Sequence, residues 1–452
     1  MDFLDQLVIP PNETHVQVLK FIFILSSMLF SAYIGILFGS SMLATFFNKR
    51  YKKSHYKRDY EFARDLMDVL TASKNVGIGL GMIPVFSITF VYAQLLFESK
   101  GIAVALMLFS AILFIIGISF IYKFKSNFDI EGVVESLKGI VRGKGESSSV
   151  IPVEIEEYEY KVRRSKSVSG FYANIFLIIA IWMFEAGTYA ASNVSGWNSE
   201  GFFNVVFAWE TMLNTFYFFS WSFAITGVSI LFFFFKWQGG LQHRDEPYMN
   251  YVKKTGALNA FFGCVILPVF MFINFMTLPG SALSFTIFLY AGLALMALLL
   301  VCNLLYATLK NLDLRYTTAA FIIIMFVVLF SALRDNAAIS ASLKEHLVTV
   351  NVKAEEYEKS TKVLVVNNTG INGEEIYNTR CSACHKFDTK LVGPPYKETL
   401  PKYNDNVKKL ASFIYNPVKV NPDYPPMPNQ GLKPKEAEAI AQWILTKVKE
   451  YK

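Results

Sequence analysis

The chain has 452 residues, of which 53% are hydrophobic and 17% are charged, and its formal net charge is +7. Soluble proteins carry nearer ~25% charged residues, so this composition excludes an ordinary water-soluble protein and indicates one embedded in a membrane. Because the positive charge collects in particular loops, it indicates membrane topology and does not indicate nucleic-acid binding.

Eight apolar runs are long enough to cross a bilayer, which takes roughly 20 residues. They lie at Val16–Phe46, Asn75–Phe97, Ile102–Tyr122, Phe171–Ala191, Val205–Phe235, Leu258–Leu278, Leu283–Leu309 and Thr317–Leu333. The first run lacks a basic flank and is too long for a cleaved signal peptide, so we expect a retained helix. The sequence therefore predicts an all-α fold, a polytopic transmembrane helical bundle of about eight spans over residues 1–334.

The orientation of these spans follows from the loops that hold lysine and arginine. Basic residues follow the odd-numbered runs, as at Lys49, Arg50, Lys52, Lys53, Lys57 and Arg58, and the even-numbered connections are nearly free of them. Since basic loops stay in the cytoplasm, both termini are predicted to lie outside, in a bacterial inner membrane with a periplasmic C-terminal domain. The cytoplasmic stretch from about Lys123 to Ser169 is expected to be a solvated surface around a flexible loop at 143–149.

Beyond the last run the composition becomes polar and charged from Arg334 to about Thr369. We interpret residues 335–368 as a linker or stalk, and residues 369–452 as a small soluble domain.

One motif in this domain carries the chemistry: Cys381-Ser382-Ala383-Cys384-His385. Two cysteines three apart, followed directly by histidine, are what covalent attachment of a c-type haem requires. Each thiol forms a thioether to a haem vinyl group, and the histidine binds the iron. A zinc or redox CxxC site is the alternative, and the surrounding sequence argues against it.

The segments around this motif resemble the class I cytochrome c family across residues 369–452. Gly373–Tyr377 resembles the helix that precedes the haem motif, and Leu391–Pro395 is similar to the glycine-proline turn beside the proximal histidine. The resemblance implies a small α-helical domain in which the Pro394 carbonyl accepts the proton on the His385 ring nitrogen that faces away from iron. Such a bond fixes the orientation and basicity of the ring.

The same resemblance implies the second iron ligand. Met427 stands among prolines in the segment 425–429, ahead of a helix with Ala437, Ile440, Ala441 and Ile444 on one face, and the family places its methionine ligand there. Histidine–methionine ligation gives six-coordinate iron with a raised reduction potential. Because both axial positions are then filled, the haem is expected to carry single electrons and to bind no substrate.

The remaining histidines limit what the membrane part can hold. A bc-type cytochrome b needs four membrane histidines and a haem–copper oxidase about six, whereas here only His15 lies at a span, because His55 and His243 lie in loops and His346 in the linker. The placement of His15 resembles cytochrome bd subunit I, whose first helix carries a haem-ligating histidine, and this implies an additional haem b at His15. The chain departs from that family at Met212, where a histidine is expected, and lacks its glutamine-rich loop.

Two acidic residues, Glu185 and Glu210, lie toward the outer ends of their apolar runs. An acid within a membrane span is energetically costly and is therefore a candidate for function. With His15 they form a candidate catalytic site that handles protons or a quinol. A hydrated carboxylate without a function is the alternative.

These features predict a membrane-anchored monohaem c-type cytochrome, an electron-transfer subunit of an oxidoreductase complex in a respiratory chain. We expect its partners to be other subunits of that complex, a soluble periplasmic cytochrome or oxidase, and membrane lipid. One alternative is a cytochrome bd-like, quinol-reactive subunit with a haem near His15, and another is a redox-controlled transporter or sensor.

Overall fold

The computed structural model describes residues 9–99, 101–143, 150–240, 244–278, 283–368, 371–403 and 405–451. Over these ranges the chain folds into helices and turns without a β-strand, so the predicted all-α class is confirmed. His243, the loop residues 144–149 and the first two residues of the predicted haem domain, Thr369 and Gly370, lie outside the described residues. The chain divides into two compact units, Met1–Asn351 and Val352–Lys452.

The first unit is built from long helices. In chain order they are α1 (Glu13–Ser54), α2 (Lys57–Leu70), α3 (Lys74–Leu95), α4 (Ala103–Gly143), α5 (Val150–Ser192), α6 (Phe202–Val206), α7 (Trp209–Phe233), α8 (Glu246–Thr277), α9 (Phe285–Asn311) and α10 (Thr317–Ser342). Eight segments in the described residues are long and apolar enough to span a membrane, and each overlaps one of the eight predicted runs. The prediction of a polytopic bundle is therefore confirmed.

Helix α1 runs beyond the length that a membrane requires. Its 42 residues extend about 63 Å at 1.5 Å per residue, twice the ~30 Å of a hydrocarbon core. At its start, the Asn12 side chain accepts a hydrogen bond of 2.9 Å from the His15 backbone N–H. The helix ends at Ser54, and the next residue, His55, caps it in the left-handed conformation. His15 therefore lies in the first turn of the helix, with its side chain exposed.

Helices α4 and α5, with 41 and 43 residues, form a hairpin whose polar part includes the segment predicted to be a solvated surface. Within it, Lys166 and Glu131 form a buried ion pair, and the Lys166 ammonium lies 4.5 Å from the Phe128 ring centroid. Arg163 Nε donates to the same glutamate at 3.0 Å. Part of this charged segment is thus packed into the protein.

Glycines allow a close contact between helices α7 and α8 in the first unit. A Cβ on Gly227 would lie 2.3 Å from the Ala260 nitrogen, and one on Gly263 would lie 2.6 Å from the Ala224 nitrogen. Small residues at such crossings let two backbones approach, which is how many membrane helices associate.

The second unit begins within α11 (Lys344–Asn368) and holds short helices: α12 (Gly373–Ile376), α13 (Tyr396–Thr399), α14 (Val407–Tyr415) and α15 (Pro434–Lys447). The α15 face predicted from spacing is buried at Ala437, Ile440, Ala441 and Ile444. Helix α12 crosses it closely, because a Cβ on Gly373 would lie 2.6 Å from the Ala439 carbonyl oxygen. This crossing builds the core that carries the haem motif.

Candidate functional site

The Cys-Ser-Ala-Cys-His motif forms a tight turn after α12. The segment Tyr377–Cys381 is a single π-helical turn, closed by a 2.9 Å hydrogen bond from Ser382 N–H to the Tyr377 carbonyl. The His385 N–H then donates to the Cys381 carbonyl at 2.9 Å. The backbone therefore folds over the five-residue motif and brings its two cysteines and its histidine close together. Cys381 is buried and Cys384 is partly buried.

The ring of His385 is held on several sides. Its Nδ1 lies 3.0 Å from the Pro394 carbonyl oxygen, which is the contact that the family resemblance implies. The Tyr396 ring stacks on the imidazole, with centroids 5.0 Å apart and planes 8° apart. Because Nδ1 donates its proton to that carbonyl, the other ring nitrogen, Nε2, keeps the lone pair that a metal ion needs.

Gly393 is required by the position of this ring. A Cβ at residue 393 would lie 2.3 Å from the His385 Cε1 atom, closer than side chains tolerate. The Gly393 N–H also donates to the Cys384 carbonyl at 2.8 Å, which ties the glycine-proline turn to the motif.

His385 and Met427 line one cavity of about 400 Å³. This volume lies within the ~300–1,000 Å³ of small-molecule and cofactor sites. Its walls are mostly apolar and aromatic: Pro394, Tyr396, Leu400, Tyr403, Leu410, Phe413, Ile414, Val418, Pro425 and Ile444. A flat apolar macrocycle with an iron centre fits such walls, with one candidate ligand from the motif and one from the proline-rich segment. The residues present therefore fit a c-type haem.

Cys381 does not have the properties of a redox-active or zinc-binding cysteine. Burial, and secondly its neighbour Cys384, raise the pKa of the Cys381 thiol to about 11, so it is protonated near neutral pH. Reactive and metal-binding cysteines instead have lowered pKa values, because the thiolate is the active form. The described residues also contain no group of three or more side chains suited to a metal ion such as zinc. The raised pKa is the opposite of what a zinc or redox CxxC site requires.

A second cavity, of about 290 Å³, lies within the membrane unit. Glu185 and Glu210 both line it, so the structure brings together the two acids that the sequence singled out. Aromatic rings form much of its wall: Phe23, Phe30, Tyr92, Phe184, Tyr189, Tyr217 and Phe218. Amides contribute as well, since Asn274 donates to Asn214 within the cavity wall.

The third member of the predicted site, His15, is not among the residues that line this cavity. Sequence reasoning also missed two residues that do line it, Arg334 and Asp335 in α10. The last apolar run was taken to end at Leu333 because a charge follows it, whereas the helix continues to Ser342. The signal that could have found them is an arginine directly followed by an aspartate, a pair that can neutralise itself inside a bundle.

Comparison with known proteins finds similarity in the second unit. The family model for cytochrome c matches residues 371–447. Cytochrome c-551 of Pseudomonas denitrificans is 38% identical over 78 residues, which are 16% of this chain and 95% of that protein. Cytochrome c-551 of Azotobacter vinelandii is 40% identical over 78 residues, covering the same shares. Cytochrome c-552 of Nitrosomonas europaea is 30% identical over 92 residues, 19% of this chain and 88% of that protein. No solved structure matches the chain significantly.

Proposed function

Because the chain belongs to the cytochrome c family through its C-terminal domain, we propose that it is a membrane-anchored monohaem cytochrome of a bacterial respiratory complex. It carries electrons by means of a covalently attached haem c. One observation carries the proposal: His385 and Met427 line the same cavity. When bound, the haem supplies an iron that changes oxidation state by one electron.

The residues around the cavity have separate roles in this proposal. Cys381 and Cys384 would attach the haem, His385 would bind the iron through Nε2, and Met427 would bind it through sulfur. The Pro394 carbonyl, 3.0 Å from Nδ1, orients the imidazole and strengthens it as a ligand. With His385 and Met427 both bound to it, the iron would have no open position for a substrate, so the domain would relay electrons.

We propose that this domain lies on the periplasmic side of the inner membrane. The basic loops after the odd-numbered spans support this orientation, and so does the extracytoplasmic site of haem attachment. Residues 369–452 carry thirteen Lys and Arg against nine Asp and Glu, a surplus of four. Such a surface favours encounter with an acidic soluble cytochrome or oxidase, and it speeds association more than it tightens binding.

A redox titration of the purified full-length protein, combined with electron transfer to an acidic soluble cytochrome, tests the relay. We expect a one-electron transition, and an association rate that falls as salt is added because added ions screen the charges. A haem that binds carbon monoxide at equilibrium in the native protein would contradict filled axial positions and thus the relay.

The membrane cavity favours a second function, oxidation of a hydroquinone that donates the electrons. Its aromatic walls suit a planar ring, and the carboxyl groups of Glu185 and Glu210 suit the ring's hydroxyl protons. The Thr188 hydroxyl lies 3.3 Å from Glu185 Oε2 and 2.9 Å from the Glu185 backbone carbonyl oxygen, and it can donate its one proton to either.

Glutamine substitutions test this second function. We expect Glu185→Gln and Glu210→Gln to slow haem reduction by duroquinol, while Glu13→Gln, an exposed residue outside the cavity, leaves the rate unchanged. Undiminished rates in both cavity variants would exclude the two acids from the reaction.

The cytochrome bd-like alternative needs a haem at His15. That side chain is exposed in the first turn of α1, and among the described residues the other histidines of the membrane unit are His55, at the far end of α1, and His346, in α11. The additional haem b therefore stays a prediction, and His15→Ala with a haem-type spectrum tests it.

A further inference from the structure

The last membrane helix carries two adjacent charged residues, Arg334 and Asp335, on the wall of the membrane cavity. Arg334 donates from Nε and Nη2 to Asp335 Oδ1, at 2.9 and 2.7 Å. The guanidinium carbon lies 5.8 Å from the Tyr217 ring centroid, and Arg334 is only 8% exposed. A buried charge in a membrane span is costly even when it is paired, so such residues are retained for function.

Asp335 is the accessible member of this pair. Its side chain is 46% exposed, against 10% for that of Arg334. Both hydrogen bonds from Arg334 end on Oδ1, and Oδ2 makes no hydrogen bond to the described residues. The arginine thus fixes the carboxylate while leaving one of its oxygens free to accept a proton.

A second polar group in the cavity lacks a partner. The Ser342 hydroxyl oxygen is buried and has no hydrogen-bond partner among the described residues, and Ser342 is one of the residues that line the same cavity. Buried polar atoms are almost always paired, so an unpaired hydroxyl beside the cavity leaves a hydrogen bond for a polar molecule to make.

We propose that Asp335 is a second proton acceptor of this cavity and that Arg334 is its positioning residue; this rests on the hydroquinone oxidation proposed above. Oxidation of one hydroquinone to quinone breaks two O–H bonds and releases two electrons and two protons. The electrons would leave one at a time to a ferric c-type haem, which the soluble acceptor cytochrome would reoxidise between the two transfers. One proton goes to Glu185 and the other to Asp335, so each of these carboxylates accepts one, while Glu210 accepts a hydrogen bond from the ring hydroxyl.

The charges in the cavity set the order of these transfers. With both carboxylates ionised, Arg334, Asp335 and Glu185 carry a net charge of −1, and these three groups interact electrostatically. A proton on Glu185 removes the excess negative charge and leaves the arginine–aspartate pair intact. A proton on Asp335 leaves the guanidinium without its counter-charge, which is unfavourable in a poorly solvated site. Glu185 is therefore the favoured acceptor of the first proton, and Asp335 accepts the second.

The titratable groups that face Asp335 come from several helices. Tyr92 from α3, Glu185 from α5 and Tyr217 from α7 interact with it electrostatically, together with Arg334 beside it. Glu210 from α7 lines the same cavity. Arg334 is the only cation among these described groups, so its removal should change the proton affinity of Asp335 more than removal of any other.

Stopped-flow reduction of the haem by duroquinol, in the full-length protein in nanodiscs, tests the proposal. General-base catalysis is worth ~10²–10⁴-fold, so we expect Asp335→Asn to lower kcat by at least ~10-fold with little change in KM. Asp335→Glu keeps the carboxylate and should restore most of the rate. The matched control is Asp313→Asn, an exposed aspartate paired with Arg315 outside the cavity, which should leave the rate unchanged.

The pH profile tests the role of Arg334. In Arg334→Gln the aspartate loses its counter-charge and holds its proton at higher pH. The fall in the reduction rate on the acidic side of the pH profile (its acid limb) should therefore begin at higher pH. Arg334→Lys retains a positive charge and should move the limb back toward that of the wild type. Haem content and thermal midpoint, measured for each variant, show that the protein is folded.

Different outcomes overturn different claims. If ascorbate reduces the wild-type haem but duroquinol does not, the proposed hydroquinone oxidation is wrong, and this inference falls with it. If the wild type oxidises duroquinol and Asp335→Asn matches Asp313→Asn, only the role of Asp335 is wrong. An unchanged pH profile in Arg334→Gln would remove the positioning role of the arginine.

Discussion

The contact between Gly393 and the His385 ring gives a sharp prediction for Gly393→Ala. A Cβ at residue 393 would lie 2.3, 2.7 and 2.8 Å from the ring atoms Cε1, Nδ1 and Nε2. The ring has little room to move, because the Pro394 carbonyl holds Nδ1 and Tyr396 stacks on the imidazole. Overpacking of this kind costs about 1–3 kcal/mol. In a domain of this size each kcal/mol lowers the thermal midpoint by ~4–8 °C.

We therefore expect Gly393→Ala to lower the midpoint of haem-domain unfolding by at least ~4 °C. The assay follows the Soret band during heating of the full-length protein in detergent. Gly132→Ala makes the same chemical change in α4, where a Cβ meets nothing within 4 Å, and should leave this midpoint unchanged. If Gly393→Ala melts like the wild type with an unaltered haem spectrum, the ring does not pack against Gly393 and the described geometry of the proximal side is wrong.

Three further predictions concern the other iron ligand, a buried ion pair and a half-buried histidine. Met427→Ala should keep the haem attached but lower its reduction potential by on the order of 100 mV, within the ~0.8 V range that axial ligands cover, as a redox titration would show. Glu131→Gln leaves Lys166 buried and unpaired, so it should destabilise the membrane unit by about 3–5 kcal/mol in thermal unfolding. The double variant Glu131→Gln, Lys166→Met removes both charges and should recover most of the lost stability. Burial lowers the pKa of His346 in α11, although hydrogen bonds with the Phe97 and Leu95 backbone act in the opposite direction. The folded state therefore favours the neutral ring, so the free energy of unfolding should fall as the pH drops below ~6.5. The loss should be smaller in His346→Gln.

The haem site could be predicted from sequence because the residues that attach the haem and bind its iron on one side are contiguous in the chain. Attachment to two cysteines and ligation by the next histidine require neighbouring residues, so the motif at 381–385 carries them without knowledge of the fold. The face of α15 could also be predicted, since helical periodicity places Ala437, Ile440 and Ile444 on one side, and the structure buries them. The eight spans followed from length and polarity alone.

The membrane cavity could only be predicted in part. Glu185 and Glu210 can be predicted because each is an acid in an apolar run, whereas Arg334 and Asp335 follow the last run, at the predicted boundary between the membrane domain and the linker. Helix hydrogen bonds continue through charged residues when the bundle offers a polar lining, as it does around α10. His15 was grouped with the two acids from its place near a helix end. The depth of a helix in the membrane and its rotation about its own axis decide which side chains meet. The sequence alone shows neither the depth nor the rotation.

The haem content of the purified full-length protein tests the central claim most directly. We predict one haem per chain that stays on the polypeptide after acid–acetone extraction and gives a reduced pyridine spectrum of the c type alone. That spectrum should disappear in the double variant Cys381→Ala, Cys384→Ala. A chain that yields no covalently bound haem would contradict the account, and an additional extractable haem would favour the cytochrome bd-like alternative instead.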